Sequence, residues 1–361
     1  MPIAPPNHVF SLPCEQIDAH PVKSVSSINN IFDDVMSITL QACVLDRCLN
    51  MASQRVLVSG STGLIGKALL KQLSPSHNFV SLVRSAPDGE RVTAETAVQW
   101  RPDNPTQPLA NESDLEFLEG CTAAVHLAGA NLSSHRWTAA YKKTIRDSRI
   151  DSSRALVSIL SRLQTPPKVL VCASAIGIYG DRGDEVLTED STHGSGFLPE
   201  VCEAWEASPD AAKGLGIRVV HLRFGVVLAP DGGAMAQLLP LFKSALGGRL
   251  GDGRQWMSWV TLTDVVRAIA FAISNEQAAG PFNVVTPNPI SNGEFTRALA
   301  GEVHRPAPWV VPAFALKLAF GQMAEDTLLS SSRVLPARLQ ALGFNFLEPS
   351  IGPALHAMLY K

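Results

Sequence analysis

Seven residues constrain the fold of this chain more than any others. Gly60-Ser61-Thr62-Gly63-Leu64-Ile65-Gly66 follow the apolar run from Arg55 to Ser59 and open a helical pattern from Leu64 to Leu73. A first glycine permits a tight turn out of a buried strand, and a second lets backbone approach a pyrophosphate. The third lets the helix pack closely on the sheet, while the helix N-terminus offers free N–H groups and a positive dipole end to phosphates. Glycines alone punctuate many turns, but a strand before and a helix after them predict a dinucleotide-binding βα turn.

From Met51 onward, short β-rich runs alternate with helical ones, which predicts an α/β protein with a doubly wound parallel sheet of the Rossmann type. Strands are expected at Arg55–Ser59, Phe79–Val83, Ala123–Leu127, Val169–Ala173, Ile217–Leu222 and Phe282–Val285. Helices are expected at Leu64–Leu73, Thr138–Leu163, Leu198–Lys213 and Thr263–Ser274. Between Ser85 and Asn111 runs a long polar connection with one short strand at Val98–Trp100, a length that suggests a lid or an insertion. Past the last of the clustered strands the texture changes to glycine loops, and Trp309–Gly321 and Pro336–Leu342 read as helices. The expected organisation is an extension over 1–50, a Rossmann domain over 51–230 and a smaller substrate-side domain over 231–361. The strand near 281–286 returns to the sheet.

A formal charge of −3 and the absence of any Lys/Arg cluster argue against nucleic acid or a polybasic membrane contact as partner. The apolar runs are too short or too interrupted for a membrane span, so a soluble protein is expected, monomeric or homodimeric, with a small-molecule substrate. Cys14, Cys43, Cys48, Cys121, Cys172 and Cys202 form no C-x-x-C pair and have no histidine at zinc spacing. They read as reduced thiols with no metal site, Cys172 and Cys202 lying in the core, in a cytoplasmic protein. The first fifty residues lack both an Arg-rich presequence pattern and a signal-peptide core. They read as a poorly ordered extension or as sequence upstream of a natural start at Met51, with organellar targeting left open.

The second expected strand bears on the cofactor. An NAD site usually places Asp or Glu at its end to bind the ribose, whereas here it ends in Arg84. An arginine fork suits a 2′-phosphate, so NADP (NADPH) is favoured over NAD, with a solvated strand-end arginine as the alternative. Asp88 and Glu90 follow in a loop. At Val125-His126-Leu127-Ala128-Gly129 small residues close another strand and leave room for a cofactor, and His126 is expected to pack within that strand. Asn131 and Arg136-Trp137 lie just beyond. Arg149 reads equally as a cofactor contact or as a surface arginine paired with Asp147 or Asp151. Trp256, Met257 and Trp259 read as pocket wall or as core.

Taken together, G-S-T-G-L-I-G, V-x-L-A-G, R-D-S-R-I-D-S-S, A-S-A-I-G-I-Y-G and W-V-T-L-T-D-V resemble the extended and atypical short-chain dehydrogenase/reductase superfamily. Within it the chain is similar to the YfcH-type epimerase-like family, through Val98-Gln-Trp-Arg-Pro102, Phe197-Leu-x-x-Val-Cys-x-x-Trp-Glu206, Gly232-Gly-Ala-Met235 and the Gly247–Trp259 loop. Arg333-Val-Leu-Pro336 with Leu342-Gly-Phe344 resembles that family's terminal domain. The resemblance implies that Gly60, Thr62, Gly63, Leu64, Ile65 and Gly66 hold the pyrophosphate and that Arg84 holds the adenosine-side phosphate. It implies further that Leu127, Ala128 and Gly129 flank the adenosine half, that Arg149 lies beneath it, and that Val227 closes on the nicotinamide side.

One departure limits the chemistry. Hydride-transferring members use a Tyr-x-x-x-Lys pair, in which lysine lowers the tyrosine pKa for proton exchange with substrate. Tyrosines occur here only at 141, 179 and 360, none with lysine four residues on, and Phe197-Leu-Pro-Glu-Val201 stands where the pair belongs. Ser174 and Tyr179, at the end of the fourth main strand, are the remaining candidates to bind or protonate a substrate oxygen, with Glu203 and Glu206 behind them. Two functions are expected: an NADP-dependent oxidoreductase or epimerase, or an NADP(H)-binding regulatory protein with little turnover.

Overall fold

The computed structural model describes residues 54–85 and 97–360, so Asp88, Glu90, three of the cysteines and the first fifty residues lie outside the described part. Seven strands form its central sheet: β1 (Gln54–Ser59), β2 (His77–Val83), β3 (Ala97–Gln99), β4 (Ala123–His126), β5 (Val169–Ala175), β6 (Arg218–Phe224) and β7 (Gly280–Val284). All are parallel, in the order β7-β6-β5-β4-β1-β2-β3. The chain runs outward from β1 to β3, then crosses back to β4 on the other side of β1, which leaves a crevice at the C-terminal ends of β1 and β4. The short strand expected near Val98 is β3, the sheet's edge.

Helices cover both faces, as a parallel sheet requires. The helices that matter here are α1 (Leu64–Leu73), α2 (Ala139–Leu160), α3 (Phe197–Ala207), α4 (Gly233–Lys243) and α5 (Leu262–Ser274). Alternate side chains of each strand feed two cores. Val56 and Val58 of β1 meet Val171, Leu222, Leu69 of α1 and Ile269 of α5. Leu57 points the other way, with Leu170 and Cys172, onto Leu156, Ile159 and Leu160 of α2. A third core belongs to the C-terminal domain, where Met235, Leu239 and Phe242 of α4 meet Trp259, Phe295, Leu299 and Leu355. Cys172 and Cys202 are core residues, and burial pushes the Cys202 thiol up to about 12.

Two expected helices change shape. The one expected to run to Lys213 ends at Ala207 because Pro209 has no N–H to continue it, and a 3₁₀ segment, Pro209–Leu215, follows. The segment expected as a helix over Trp309–Gly321 is a strand, Trp309–Val311, joined to α6 (Ala313–Phe320) through Pro312. Pro308 and Pro312 enclose Val310 and Val311, and prolines with β-branched residues favour extended backbone. Val226–Leu228, just past β6, pairs with Trp259–Thr261, which joins the sheet's end to the third core.

Candidate functional site

The glycine turn leaves β1 at Gly60, whose φ of +76° suits glycine alone. A Cβ there would lie 2.6 Å from the Leu127 carbonyl carbon at the end of β4. One at Gly66 would run into the Gly60 oxygen and lie 2.7 Å from Ser61 Cα. Both glycines therefore let the turn, the helix and β4 close to backbone contact. Gly63 precedes α1 in extended backbone with no side-chain cap, and no acid occupies the first helical turn. Among the described residues the N–H groups of Leu64, Ile65 and Gly66 take no protein partner, whereas Lys67 N already bonds Gly63 O at 2.9 Å. Orphan donors at a helix start, with no acid in the first turn, fit a phosphate group.

Around this turn lie the other expected cofactor residues. Arg84 is exposed directly after β2, and its carbonyl accepts from Gln99 Nε2 at 3.0 Å. Leu127, Ala128 and Gly129 are open to solvent in part or in full at the end of β4. Val227 is half-buried, and a Cβ at Gly233 would sit 3.5 Å from its oxygen and 3.6 Å from Leu64 Cδ2, so this strand flanks the glycine turn. Asn131 Oδ1 caps its own loop at Ser133 N, and Trp137 is buried with its Nε1 donating to Leu132 O.

His126 packs within its strand. Ser59 Oγ lies 2.6 Å from its Nδ1, and Ser152 Oγ lies 3.2 Å from Nε2 while donating to Ser148 O. These bonds assign the ring a proton on Nε2, given to Ser152, and an acceptor at Nδ1. Burial pushes its pKa down to about 4, so it is neutral at pH 7.

Arg149 is the largest difference from a surface reading. Asp147 pairs with Lys143 and Arg146, and Asp151 with Arg154, whereas Arg149 is buried at 9% exposure. Its guanidinium lies over the Trp205 ring and directly under Gly129.

At the end of β5 the expected acid/base groups are turned inward. Ser174 Oγ donates to Glu206 Oε1 at 2.6 Å, and Glu206 accepts both Nε and Nη2 of Arg223 at 2.8 Å. Arg223 Nη1 donates to the Tyr179 hydroxyl at 2.9 Å, and that hydroxyl donates to Asn283 Oδ1 at 2.7 Å. Ser174, Tyr179, Arg223 and Asn283 are all buried. The expectation that Ser174 and Tyr179 present hydroxyls to a substrate is thus corrected, because each is already committed to a protein partner. Burial also pushes the Tyr179 pKa up, against the pull of Arg223 and Asn283. Burial pushes Glu206 up too, but the hydrogen bonds and charge of Arg223, with Ser174, outweigh it and hold the carboxyl below its ordinary value.

At the end of β5 and just beyond it, Ala175, Ile176 and Gly177 are partly exposed and carry no polar side-chain atom. Phe197 packs edge-on against Trp137 at 5.3 Å. Sequence reasoning missed Arg223 and Asn283, although a charge inside the apolar run Val219–Phe224 signals a buried partner. Of the three uncertain aromatic-loop residues, Trp259 is core, Met257 packs against that core, and half-buried Trp256 stacks on Arg333 and donates to Asp184.

The pattern of an NAD-dependent epimerase/dehydratase family covers residues 56–285, more than half of the chain. The chain belongs to that family. A C-terminal domain of unknown function, DUF1731, matches residues 311–358. This epimerase-family chain is 40% identical over 306 residues to the epimerase family protein Mb2239 of Mycobacterium bovis, covering 84% of this chain and 97% of that one. It is 37% identical to the Arabidopsis thaliana epimerase family protein SDR39U1 homolog, chloroplastic, covering 84% and 86% respectively. The crystal structure of human epimerase family protein SDR39U1 (isoform 2) with NADPH superposes with a TM-score of 0.74 at 29% identity, covering 84% of this chain and 98% of that one. The protein is accordingly an epimerase-family member with the NAD(P)-binding Rossmann fold and an additional C-terminal domain. Among the described residues no helix is long and apolar enough to cross a membrane.

Proposed function

We propose that the protein is an NADP(H)-dependent oxidoreductase of the epimerase type, acting on a small polar substrate that carries a carbonyl or hydroxyl group. The observation that carries this reading is the glycine turn with its three unpartnered N–H groups at the start of α1, beside an exposed Arg84 where an NAD site would place an acid. The NADPH held by the human relative supports the same choice.

In this reading Gly60, Thr62, Gly63, Leu64, Ile65 and Gly66 receive the pyrophosphate, with the N–H groups of α1 as donors. Arg84 takes the 2′-phosphate through its planar fork. Leu127, Ala128 and Gly129 keep the end of β4 low enough for the dinucleotide to cross, and Val227 closes the opposite wall beside Leu64. Arg149 adds positive charge beneath Gly129. When bound, the cofactor supplies or accepts a hydride at its nicotinamide ring. Ser174 and Tyr179 act as positioning residues: with Glu206, Arg223 and Asn283 they hold the ends of β5, β6 and β7 in register, so that Ala175, Ile176 and Gly177 form a fixed apolar floor.

That apolar floor favours one second reading, an NADP(H)-binding protein with little turnover whose occupied conformation is read by a partner. Incubating the protein and NADPH with a panel of aldehydes, ketones and nucleotide sugars separates the two. The oxidoreductase reading expects NADPH absorbance to fall with at least one panel member. Tight NADPH binding with no consumption by any member overturns it in favour of the binding protein.

A further inference from the structure

Helix α2 carries one cation that the fold buries without an opposite charge. Arg149 is 9% exposed, and among the described residues the only hydrogen bond of its guanidinium is from Nη1 to Ile145 O at 2.9 Å. Among the described residues no carboxylate pairs with it, and Glu206, next to Trp205 in sequence, is taken by Arg223. Trp205 lies under the guanidinium at 4.9 Å, with its own Nε1 buried and unbonded. The Cys202 thiol, pushed up to about 12 by burial, carries no charge at pH 7. Asp147 and Asp151, the acids of its own helix, are engaged by Lys143, Arg146 and Arg154. A guanidinium remains protonated even where burial pulls its pKa down. An unpaired buried charge is costly enough that its retention calls for a purpose.

Position supplies the purpose. A Cβ on exposed Gly129 would lie 3.5 Å from Arg149 Cγ and Cζ, so the charge sits one residue's thickness below the open end of β4. The sheet divides into β1-β2-β3 and β4-β5-β6, and each half of a doubly wound dinucleotide fold takes one mononucleotide. Arg84 stands at the end of β2, in the first half. Arg149 stands in the second, on the helix that joins β4 to β5, packed against α3. Topology thus moves Arg149 away from the adenosine side, where the family resemblance had put it.

We infer that Arg149 is a fixed positive charge beneath the nicotinamide mononucleotide and that it makes this site select the reduced cofactor over the oxidised one. The oxidised ring is cationic and the reduced ring is neutral, so only the oxidised form is repelled by a guanidinium in a poorly solvated position. The inference rests on the NADP(H) reading above and extends it from which dinucleotide binds to which redox state binds.

Equilibrium titrations of the full chain with NADPH, NADP⁺ and 2′-phospho-ADP-ribose, which lacks the ring, test it without any turnover. The wild type is expected to bind NADPH about tenfold tighter than NADP⁺, and the ring-less fragment at least as tightly as NADP⁺. Arg149→Met, similar in reach but uncharged, is expected to bring the two redox forms to within about twofold, while Arg149→Lys keeps the preference. Equal wild-type affinity for both forms, or an Arg149→Met variant with the preference intact, overturns the inference. Should Arg149→Met not fold, the three wild-type affinities decide alone. Failure of all three ligands to bind defeats the NADP(H) reading itself; binding of all three with no redox preference defeats only this inference.

Discussion

Glu206 and Arg223 are tolerable in the interior only because each satisfies the other. Arg223 is buried and the Glu206 side chain is 12% exposed, and the bidentate contact at 2.8 Å is extended at one end by Ser174 and at the other by Tyr179. Arg223→Met strands a carboxylate away from water and is expected to cost about 3–5 kcal/mol in urea unfolding. Adding Glu206→Met should return much of that loss, because the uncompensated charge disappears with it. A single variant within about 1 kcal/mol of wild type would show that the pair is not holding the strand ends together. The places of Ser174 and Tyr179 at a strand end were legible in the sequence, but the direction of their hydroxyls was not. That direction is set by Glu206 for Ser174 and by Arg223 and Asn283 for Tyr179, which reach the same point only once β5, β6, β7 and α3 pack together.

Between elements, His126 ties β1, β4 and α2 together through Ser59 and Ser152. Its pKa falls from 6.5 to about 4 on burial, so between those values the unfolded chain holds a proton that the folded protein does not. Stability must therefore rise with pH across this window and fall as the medium is acidified, by about 1.4 kcal/mol for each pH unit below 6.5. Glu206, held below its ordinary 4.5, loses its contribution only at lower pH. Unfolding free energies at pH 7, 6 and 5 are expected to show this slope in the wild type and a shallower one in His126→Gln. An unchanged slope in the variant would remove His126 as its source. Elements governed by local pattern were legible: α1 spans Leu64–Leu73 as its glycines and apolar spacing require. The Trp309 segment was not, since its apolar content outweighed the prolines, and its strand exists by pairing with Gly248–Leu250, far away in sequence.

At the scale of the whole molecule, sheet order places Arg84 after β2 on one side of β1 and Arg149 after β4 on the other. Alternating strands and helices predicted a parallel sheet, and the glycine turn located its first βα unit. The order β7-β6-β5-β4-β1-β2-β3 depends on packing among separated segments, so the separation of Arg84 from Arg149 emerged only from the fold. The NADP(H) reading proposed for the crevice turns on Arg84, because a glycine turn accepts either dinucleotide and a strand-end arginine is what would distinguish them. The direct measurement is a pair of binding titrations, NADPH against NADH, on wild type and Arg84→Ala. The predicted result is NADPH at least about tenfold tighter in the wild type, the size of a charge-assisted phosphate contact, with that margin lost in Arg84→Ala. Equal affinity of the wild type for both, or an Arg84→Ala variant that still prefers NADPH, would contradict it.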